Sequence, residues 1–307
     1  MIKPRRLHPG SRVAIVAPSS PLDSKHGFQR GLNMLRSLGL KPVIPRGLHR
    51  RRRFLAGSDQ HRADVVNAMF EDDEVDGIIC MRGGDGAARI LPLLNYDLIK
   101  RNPKCLIGYS DITALNLALW SRIRLVSFSG AMVANGWNSA GELTCDSFTR
   151  LVSGEKKLDW EFRPNFFRVM TKGTAQGRLV GGNLTVMAGL TGTAYFPSTR
   201  GAILFIEDVD EKPERIDRML TNLRLAGAFD SISAVLLGHF INCAGKQNRQ
   251  RDILNFVLKD NLADLGVPVV AGLPFGHIRD MLTMPIGVKV SLDTRLRRIS
   301  ILERAVK

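Results

Sequence analysis

The 307-residue chain is 44% hydrophobic and 24% charged, which is typical of a soluble protein of enzyme size and leaves room for two domains. No stretch approaches about 18 uninterrupted apolar residues, so the composition excludes a transmembrane helix. The formal net charge of +15 leaves three kinds of partner open: nucleic acid, an anionic membrane and anionic small molecules.

The densest positive charge is a run of four arginines at residues 50–53. No interleaved aromatic residues, zinc-ligand spacing or known nucleic-acid module accompanies this run. We therefore interpret it as a solvent-exposed loop and predict no nucleic-acid partner.

The N-terminal segment is basic, but the apolar run at residues 13–17 is too short for the core of a signal peptide. A buried first strand explains that run better. The four cysteines form no CxxC pair, which argues against a disulfide framework and fits a reducing compartment. These features predict a cytoplasmic protein with no membrane partner.

The first half of the chain alternates apolar strands with amphipathic helices. Strands are predicted at residues 12–17, 42–44, 75–81, 105–109 and 125–127. Helices are predicted around residues 28–35, over 63–70, from about residue 87 and over 112–121. This alternation predicts a parallel sheet covered by helices on both faces, with functional loops at the carboxyl ends of its strands.

The alternation is lost between residues 153 and 174, where Lys156, Lys157, Pro164 and Asn165 indicate a connection. The remaining sequence has more strand character, with strands predicted at 177–180, 202–206, 234–237, 269–271, 287–291 and 298–302 and helices at 214–226 and 252–262. The predicted fold is therefore α/β. An N-terminal, Rossmann- or flavodoxin-like parallel-sheet domain spans 1–152, a linker spans 153–174, and a C-terminal mixed β/α domain spans 175–307.

A glycine-rich turn over residues 82–86, Arg-Gly-Gly-Asp-Gly, follows the third predicted strand. Its glycine spacing matches neither the dinucleotide fingerprint nor a phosphate-binding P-loop. The turn is either a plain connection between strand and helix or a donor of a backbone N–H to a developing oxyanion.

The segment Gly108-Tyr109-Ser110-Asp111-Ile112 follows the fourth strand and precedes a helix. Ser110 is either the N-cap of that helix or a nucleophile presented at a tight strand-to-helix turn. The segment departs from the GxSxG pattern of such turns, because Ile112 stands in place of the last glycine.

Four acids at residues 207, 208, 210 and 211 follow a predicted buried strand. No histidine pair or EF-hand glycine accompanies them, so no metal site is predicted. Asp210 and Glu211 suit the N-terminus of the next helix, whereas Glu207 ends the strand and could orient a histidine.

Among the six histidines, His277 is the best candidate for a base, because proline and glycine fix the loop that carries it. A serine, an acid and a histidine on three strand-terminal loops satisfy the needs of a nucleophilic relay. The sequence therefore predicts Ser110, Glu207 and His277 as nucleophile, acid and base, although chemistry alone does not separate Glu207 from Glu211.

Five segments together resemble the LD-carboxypeptidases, the serine peptidases of family S66. They are residues 82–86, 108–113, 181–184 (Gly-Gly-Asn-Leu), 206–211 and 272–277 (Gly-Leu-Pro-Phe-Gly-His), and the resemblance runs from about residue 10 to residue 301. An aromatic residue is common in the family where Asp85 stands here.

The resemblance implies the same triad and an oxyanion hole formed by the backbone N–H groups of Gly84 and Asp111. It implies removal of the terminal D-alanine of a murein tetrapeptide, next to an L-centre of a diamino acid, in the cytoplasm during cell-wall recycling. It also implies no metal or other cofactor and a homodimer. Asn183, from the Gly-Gly-Asn segment, is a candidate substrate contact, and Arg82 is either a clamp for a substrate carboxylate or a support for the turn.

Two other functions stay open at the level of sequence. The triad could serve a peptidase that inactivates peptidyl-nucleotide antibiotics of the microcin C type. The charge could instead indicate a non-enzymatic binder of anionic ligands, but such a protein has no need for three relay residues at strand ends.

Overall fold

The structure is a computed structural model that describes residues 1–244 and 248–307. Its strands, in chain order, are β1 (Arg12–Val16), β2 (Lys41–Val43), β3 (Gly77–Cys80), β4 (Cys105–Ile107), β5 (Ser127–Ser129), β6 (Leu158–Glu161), β7 (Arg168–Thr171), β8 (Thr174–Asn183), β9 (Ala202–Val209), β10 (Ala234–Ile241), β11 (Val269–Ala271), β12 (Met284–Ile286), β13 (Lys289–Asp293) and β14 (Arg298–Ile301).

The α-helices, in chain order, are α1 (Lys25–Ser37), α2 (Asp59–Glu71), α3 (Ala87–Ile90), α4 (Tyr96–Arg101), α5 (Thr113–Ile123), α6 (Glu142–Val152), α7 (Leu184–Leu190), α8 (Pro213–Leu225) and α9 (Asn248–Leu262). Short 3₁₀ helices lie at Leu91–Leu93, Ser110–Ile112, Trp137–Ser139 and Pro164–Phe166. The chain folds into two units, the first made of residues 1–155, 279–287 and 304–307 and the second of residues 156–278 and 288–303.

The first unit is built on a sheet with the strand order β12-β5-β4-β3-β1-β2 in the described residues. Strands β1 to β5 pair in parallel in the flavodoxin-like order 2-1-3-4-5, and β12 adds an antiparallel strand next to β5. All residues of β3 and β4 are buried, as expected for a parallel sheet covered on both faces. The predicted parallel-sheet domain is confirmed.

The second unit is built on a mixed sheet with the order β6-β14-β13-β8-β9-β10-β11-β7. Strands β8 to β11 pair in parallel, and the strands on either side of them pair antiparallel. The predicted mixed β/α fold of this half is therefore confirmed as well. The parallel core brings the carboxyl ends of four strands to one edge of the sheet, where loops that carry polar side chains follow.

The domain boundaries differ from those expected. The segment 153–174, expected as a linker, contains β6 and β7, which form the two edges of the second sheet. In β6 the buried Leu158 and Trp160 alternate with exposed acids, and the strand pairs with β14 from the end of the chain. The lysines before β6, its exposed acids and Pro164 made the segment resemble a connection. In addition, residues 279–287 and 304–307 return to the first unit instead of ending the second.

Candidate active site

Ser110 lies at a tight turn between β4 and α5 in the first unit. Its φ is 62°, in the left-handed region, where residues other than glycine are uncommon and where functional turns store backbone strain. The 3₁₀ helix Ser110–Ile112 starts at this residue, and the residue that directly precedes α5 is Ile112. Ser110 is therefore not the N-cap of α5. Its half-buried position on a strained turn is that of a nucleophile elbow.

Two contacts hold this elbow in place. The Asn116 side chain, fully buried on α5, donates a hydrogen bond to the Gly108 carbonyl over 2.9 Å. A Cβ on Gly108 would lie 2.9 Å from the Ile112 side chain, so the two residues are in close contact. Ile112, where the GxSxG pattern has glycine, thus packs against the preceding turn.

The glycine-rich turn lies directly against Ser110. A Cβ on Gly83 would come within 3.0 Å of the Ser110 Cβ, 3.1 Å of its Oγ and 3.5 Å of the Asp111 nitrogen. Gly84 has a φ of 114°, and a Cβ there would collide with the Ser20 hydroxyl at 2.2 Å. Within the described part of the chain, the Gly84 N–H donates to no protein acceptor. The two residues predicted to form an oxyanion hole therefore lie on adjoining backbone segments beside the serine.

The carboxylate of Asp111 joins these segments. It is 9% exposed, and its Oδ2 accepts hydrogen bonds from the Ser19 hydroxyl at 2.5 Å and from the Ala87 N–H at 2.8 Å. The neighbouring Ser20 hydroxyl accepts the Asp85 N–H at 3.1 Å. Burial raises the pKa of the Asp111 carboxyl. The loop after β1, the glycine turn and the serine elbow are thus one hydrogen-bonded assembly.

Glu207 and His277 come together in the second unit. The His277 Nδ1 donates to the Glu207 Oε2 over 2.7 Å, and the glutamate side chain is 4% exposed against 18% for the histidine. Glu207 Oε1 is buried and accepts no hydrogen bond from any described residue. A buried carboxylate on Nδ1 fixes the tautomer that leaves Nε2 as the proton acceptor, the arrangement of a general base.

Gly276 makes this pair possible. It adopts a φ of 103°, and a Cβ on it would lie 2.8 Å from Glu207 Oε2 and 2.9 Å from Glu207 Cβ. The histidine loop can approach the glutamate this closely only because residue 276 has no side chain.

Both halves of the chain match the LD-carboxypeptidases. The profile of the LD-carboxypeptidase N-terminal domain matches residues 13–130, and that of the LD-carboxypeptidase C-terminal domain matches residues 176–292. The chain belongs to the LD-carboxypeptidase family. It is thus a member of the S66 peptidases, as the motifs predicted.

Three relatives show which members of the family this chain resembles in sequence and structure. A "probable murein peptide carboxypeptidase" of Bacillus subtilis is 35% identical over 95% of this chain and 92% of its own. The muramoyltetrapeptide carboxypeptidase of Oxalobacter formigenes, a solved structure, is 30% identical with a TM-score of 0.82 over 95% of this chain and 98% of its own.

The third relative is the microcin C7 self-immunity protein MccF of Escherichia coli, 31% identical over 96% of this chain and 94% of its own. The solved MccF structure without ligand superposes with a TM-score of 0.91 over 100% of both chains at 28% identity. Relatives with different named functions therefore share the whole fold.

The other acids after β9 make structural contacts. Asp208 is buried and accepts hydrogen bonds from the Asn183 side chain at 2.9 Å, from the Thr185 N–H and hydroxyl at 3.0 and 2.8 Å, and from the Val209 N–H at 2.8 Å. Burial raises the pKa of the Asp208 carboxyl. Glu211, the other candidate acid, lies 3.5 Å from Arg215 on α8.

The two predicted substrate contacts are engaged by neighbouring protein groups. Asn183 is 5% exposed, and its side chain caps α7 by accepting the Val186 N–H at 3.1 Å while it donates to Asp208. Arg82 forms an ion pair with Asp23 and donates from Nε to the Gly83 carbonyl at 3.3 Å. Of the two roles left open for Arg82, a clamp for a substrate carboxylate and a support for the turn, these contacts favour the support.

Sequence reasoning missed the side chains of Ser19, Ser20 and Asp111, which hold the turn. A signal was available for Asp111, since a carboxylate directly after the serine interrupts an apolar segment. His239, at the end of β10, donates its backbone N–H to the Phe275 carbonyl at 3.1 Å, and burial lowers the pKa of its imidazole.

The described residues contain no group of three or more histidine, cysteine or acidic side chains placed to hold a metal ion. None of the helices among them is long and apolar enough to cross a membrane. The arginines of the run at 50–53 are exposed, as expected for a loop.

Proposed function

We propose that the protein is a serine LD-carboxypeptidase that hydrolyses the bond between the L-centre of a diamino acid and the terminal D-alanine of a murein tetrapeptide. The observation that carries the proposal is the buried Glu207–His277 hydrogen bond, together with the strained turn at Ser110. The names of the Bacillus and Oxalobacter relatives support the substrate.

In the proposed mechanism Ser110 Oγ attacks the carbonyl carbon while His277 Nε2 takes the hydroxyl proton. Glu207 stabilises the imidazolium that forms. The N–H groups of Gly84 and Asp111 stabilise the negative oxygen of the tetrahedral intermediate, and each such donor typically contributes about 3 kcal/mol. The histidine then protonates the amine of the leaving D-alanine, and a water molecule hydrolyses the acyl-enzyme by the same steps.

Purified protein incubated with murein tetrapeptide should release one alanine, detected by mass spectrometry. Ser110→Ala and His277→Ala should each lower kcat by about 10⁴-fold or more, and the double variant should lose little beyond either single one, because the residues act as a unit. Glu207→Gln should cost about 10⁴-fold by favouring the wrong tautomer.

The matched control for the acid is Glu211→Gln, which removes the charge of the competing candidate four residues away. This variant should retain activity. An inactive Glu211→Gln alongside an active Glu207→Gln would show that the acid is misassigned, and full turnover by Ser110→Ala would refute the serine mechanism.

A second candidate is hydrolysis of peptidyl-nucleotides, supported by the TM-score of 0.91 with MccF. It predicts that the wild-type protein cleaves a peptidyl-adenylate and leaves the tetrapeptide intact. We further propose the cytoplasm as the site of action and a homodimer as the working state, which cell fractionation and light scattering of the purified protein would test.

A further inference from the structure

A cleft of about 560 Å³ opens in the first unit beside the loop that follows β1. The loop after β1, the first turns of α1 and the loop after β2 form its walls, with Leu22, Asp23, Lys25, Phe28, His49 and Arg51 among the lining residues. A volume of this size accommodates a small-molecule group. The catalytic contacts described above do not use it.

Positive charge dominates the lining. Lys25 and Arg51 are exposed, and Arg51 donates to the Leu22 carbonyl over 2.9 Å, which places its guanidinium at the cleft wall. Asp23 is the acid of the lining, and its charge is already paired with Arg82. The cleft therefore presents two cations that no lining acid neutralises.

The start of α1 adds to this charge. The helix is 13 residues long, and Ser24 caps it by accepting the Gly27 N–H at 3.1 Å. Its first turn contains no acid and begins with Lys25 and His26, although the positive end of a helix dipole favours negative charge. An anion bound in the cleft would interact favourably with both the cations and the helix end.

Arg82 connects the cleft to the nucleophile. Its guanidinium contacts Asp23 in the cleft wall, and its Nε donates to the carbonyl of Gly83, the residue packed against Ser110. The cleft is thus linked through Arg82 to the turn that packs against Ser110, so a ligand group in it would have the position of a remote part of a substrate.

We propose that this cleft is a subsite for an anionic group of the substrate remote from the scissile bond, and that Lys25 and Arg51 bind it. The proposal rests on the proposed function for the identity of the anion, a carboxylate of the murein peptide. A phosphate offers the same chemistry to the two cations and belongs to the nucleotide alternative. Leu22 and Phe28 supply apolar surface for the carbon chain that bears the anion.

Binding is measured by calorimetry on the Ser110→Ala background, so that turnover does not interfere. The probes are a murein tetrapeptide with a free carboxylate on its glutamate residue, the same peptide with that carboxylate amidated, and adenosine monophosphate. Lys25→Gln/Arg51→Gln should weaken binding of the free-carboxylate peptide by about tenfold and leave binding of the amidated peptide unchanged. The matched control, Lys100→Gln/Arg101→Gln, removes two exposed cations from α4 and should change neither affinity.

Each outcome supports or overturns the subsite. A tenfold loss for adenosine monophosphate, with none for either peptide, would support the anion subsite and identify a phosphate as its ligand. Equal weakening for free and amidated peptides, or no weakening for any probe, would overturn it. A separate turnover assay on the wild-type protein tests the proposed function, so a protein that binds the peptide but releases no alanine would refute the function and leave the subsite intact.

Discussion

Replacing Gly276 with alanine tests whether the histidine loop positions the catalytic acid. The new methyl group would lie 2.8 Å from Glu207 Oε2 and 3.1 Å from Glu207 Cγ, both too close for unstrained contact. The loop or the carboxylate must move, and the 2.7 Å hydrogen bond to His277 lengthens or breaks.

Two costs can be separated in this variant. An L-residue at a φ of 103° costs about 1–3 kcal/mol of stability, and overpacking against Glu207 adds about 1–3 kcal/mol more. The first cost alone corresponds to a loss of about 2–12 °C in Tm, at about 2–4 °C per kcal/mol for a large domain. A displacement of about 1 Å between acid and base should lower kcat by about 10²-fold.

Gly272→Ala is the matched control, because Gly272 lies in the same loop with a φ of 83°. A Cβ there meets only a backbone carbon of Phe166, at 4.0 Å, and is far from contact with Glu207. Alanine at 272 should lower Tm by the backbone cost and keep kcat within about twofold of the wild type. Tetrapeptide turnover is measured below both melting temperatures and normalised to the folded fraction from circular dichroism.

A positioning role for residue 276 is refuted if Gly276→Ala loses stability as expected but keeps the kcat of Gly272→Ala. The close approach of residue 276 would then matter for packing alone. An equal loss of kcat in both variants would also contradict it, since that result would assign the effect to the backbone of the loop.

Two buried carboxylates give the remaining predictions. Asp208→Asn should lower the free energy of unfolding by about 1–3 kcal/mol in urea titrations, because an amide cannot accept hydrogen bonds on both sides as Asp208 does. Asp111→Ala should lower kcat by about 10–100-fold with KM unchanged, since it releases the turn that bears Gly84, and Asp111→Asn should restore much of that loss. Burial raises the pKa of the Asp111 carboxyl above its unfolded value of 3.8. The contribution of this group to stability is therefore full below pH 3.8 and decreases as the pH rises through the folded pKa. In Asp111→Asn the free energy of unfolding should fall less steeply with rising pH, because the titrating group is absent.

Opposite results would be informative for both residues. An Asp208→Asn protein as stable as the wild type would show that the hydrogen bonds at the start of α7 contribute nothing net. A rise in KM with unchanged kcat in Asp111→Ala would assign the carboxylate to substrate binding instead of to the oxyanion turn.

The sequence by itself determined the fold class of both halves, the family, and the segments that we propose carry the chemistry. Strands such as β3 and β4 are continuous apolar runs, so their burial in a parallel sheet follows from composition and period. The Gly-x-Ser turn could be recognised because its geometry depends on residues next to one another in the chain. The five motifs likewise keep their order and local spacing, and the family match confirmed the resemblance that they indicated.

The tertiary structure decided what depends on residues far apart in sequence. Glu207 and Glu211 are chemically equivalent, and only the approach of a loop 70 residues later places one of them 2.7 Å from His277. The edge strand β6 is polar on alternate positions and gains its place by pairing with β14, more than 130 residues away, which no local pattern specifies. The role of Asp111 arises in the same way, because its partners Ser19 and Ala87 lie in other loops of the sheet and reach it only once the strands have assembled.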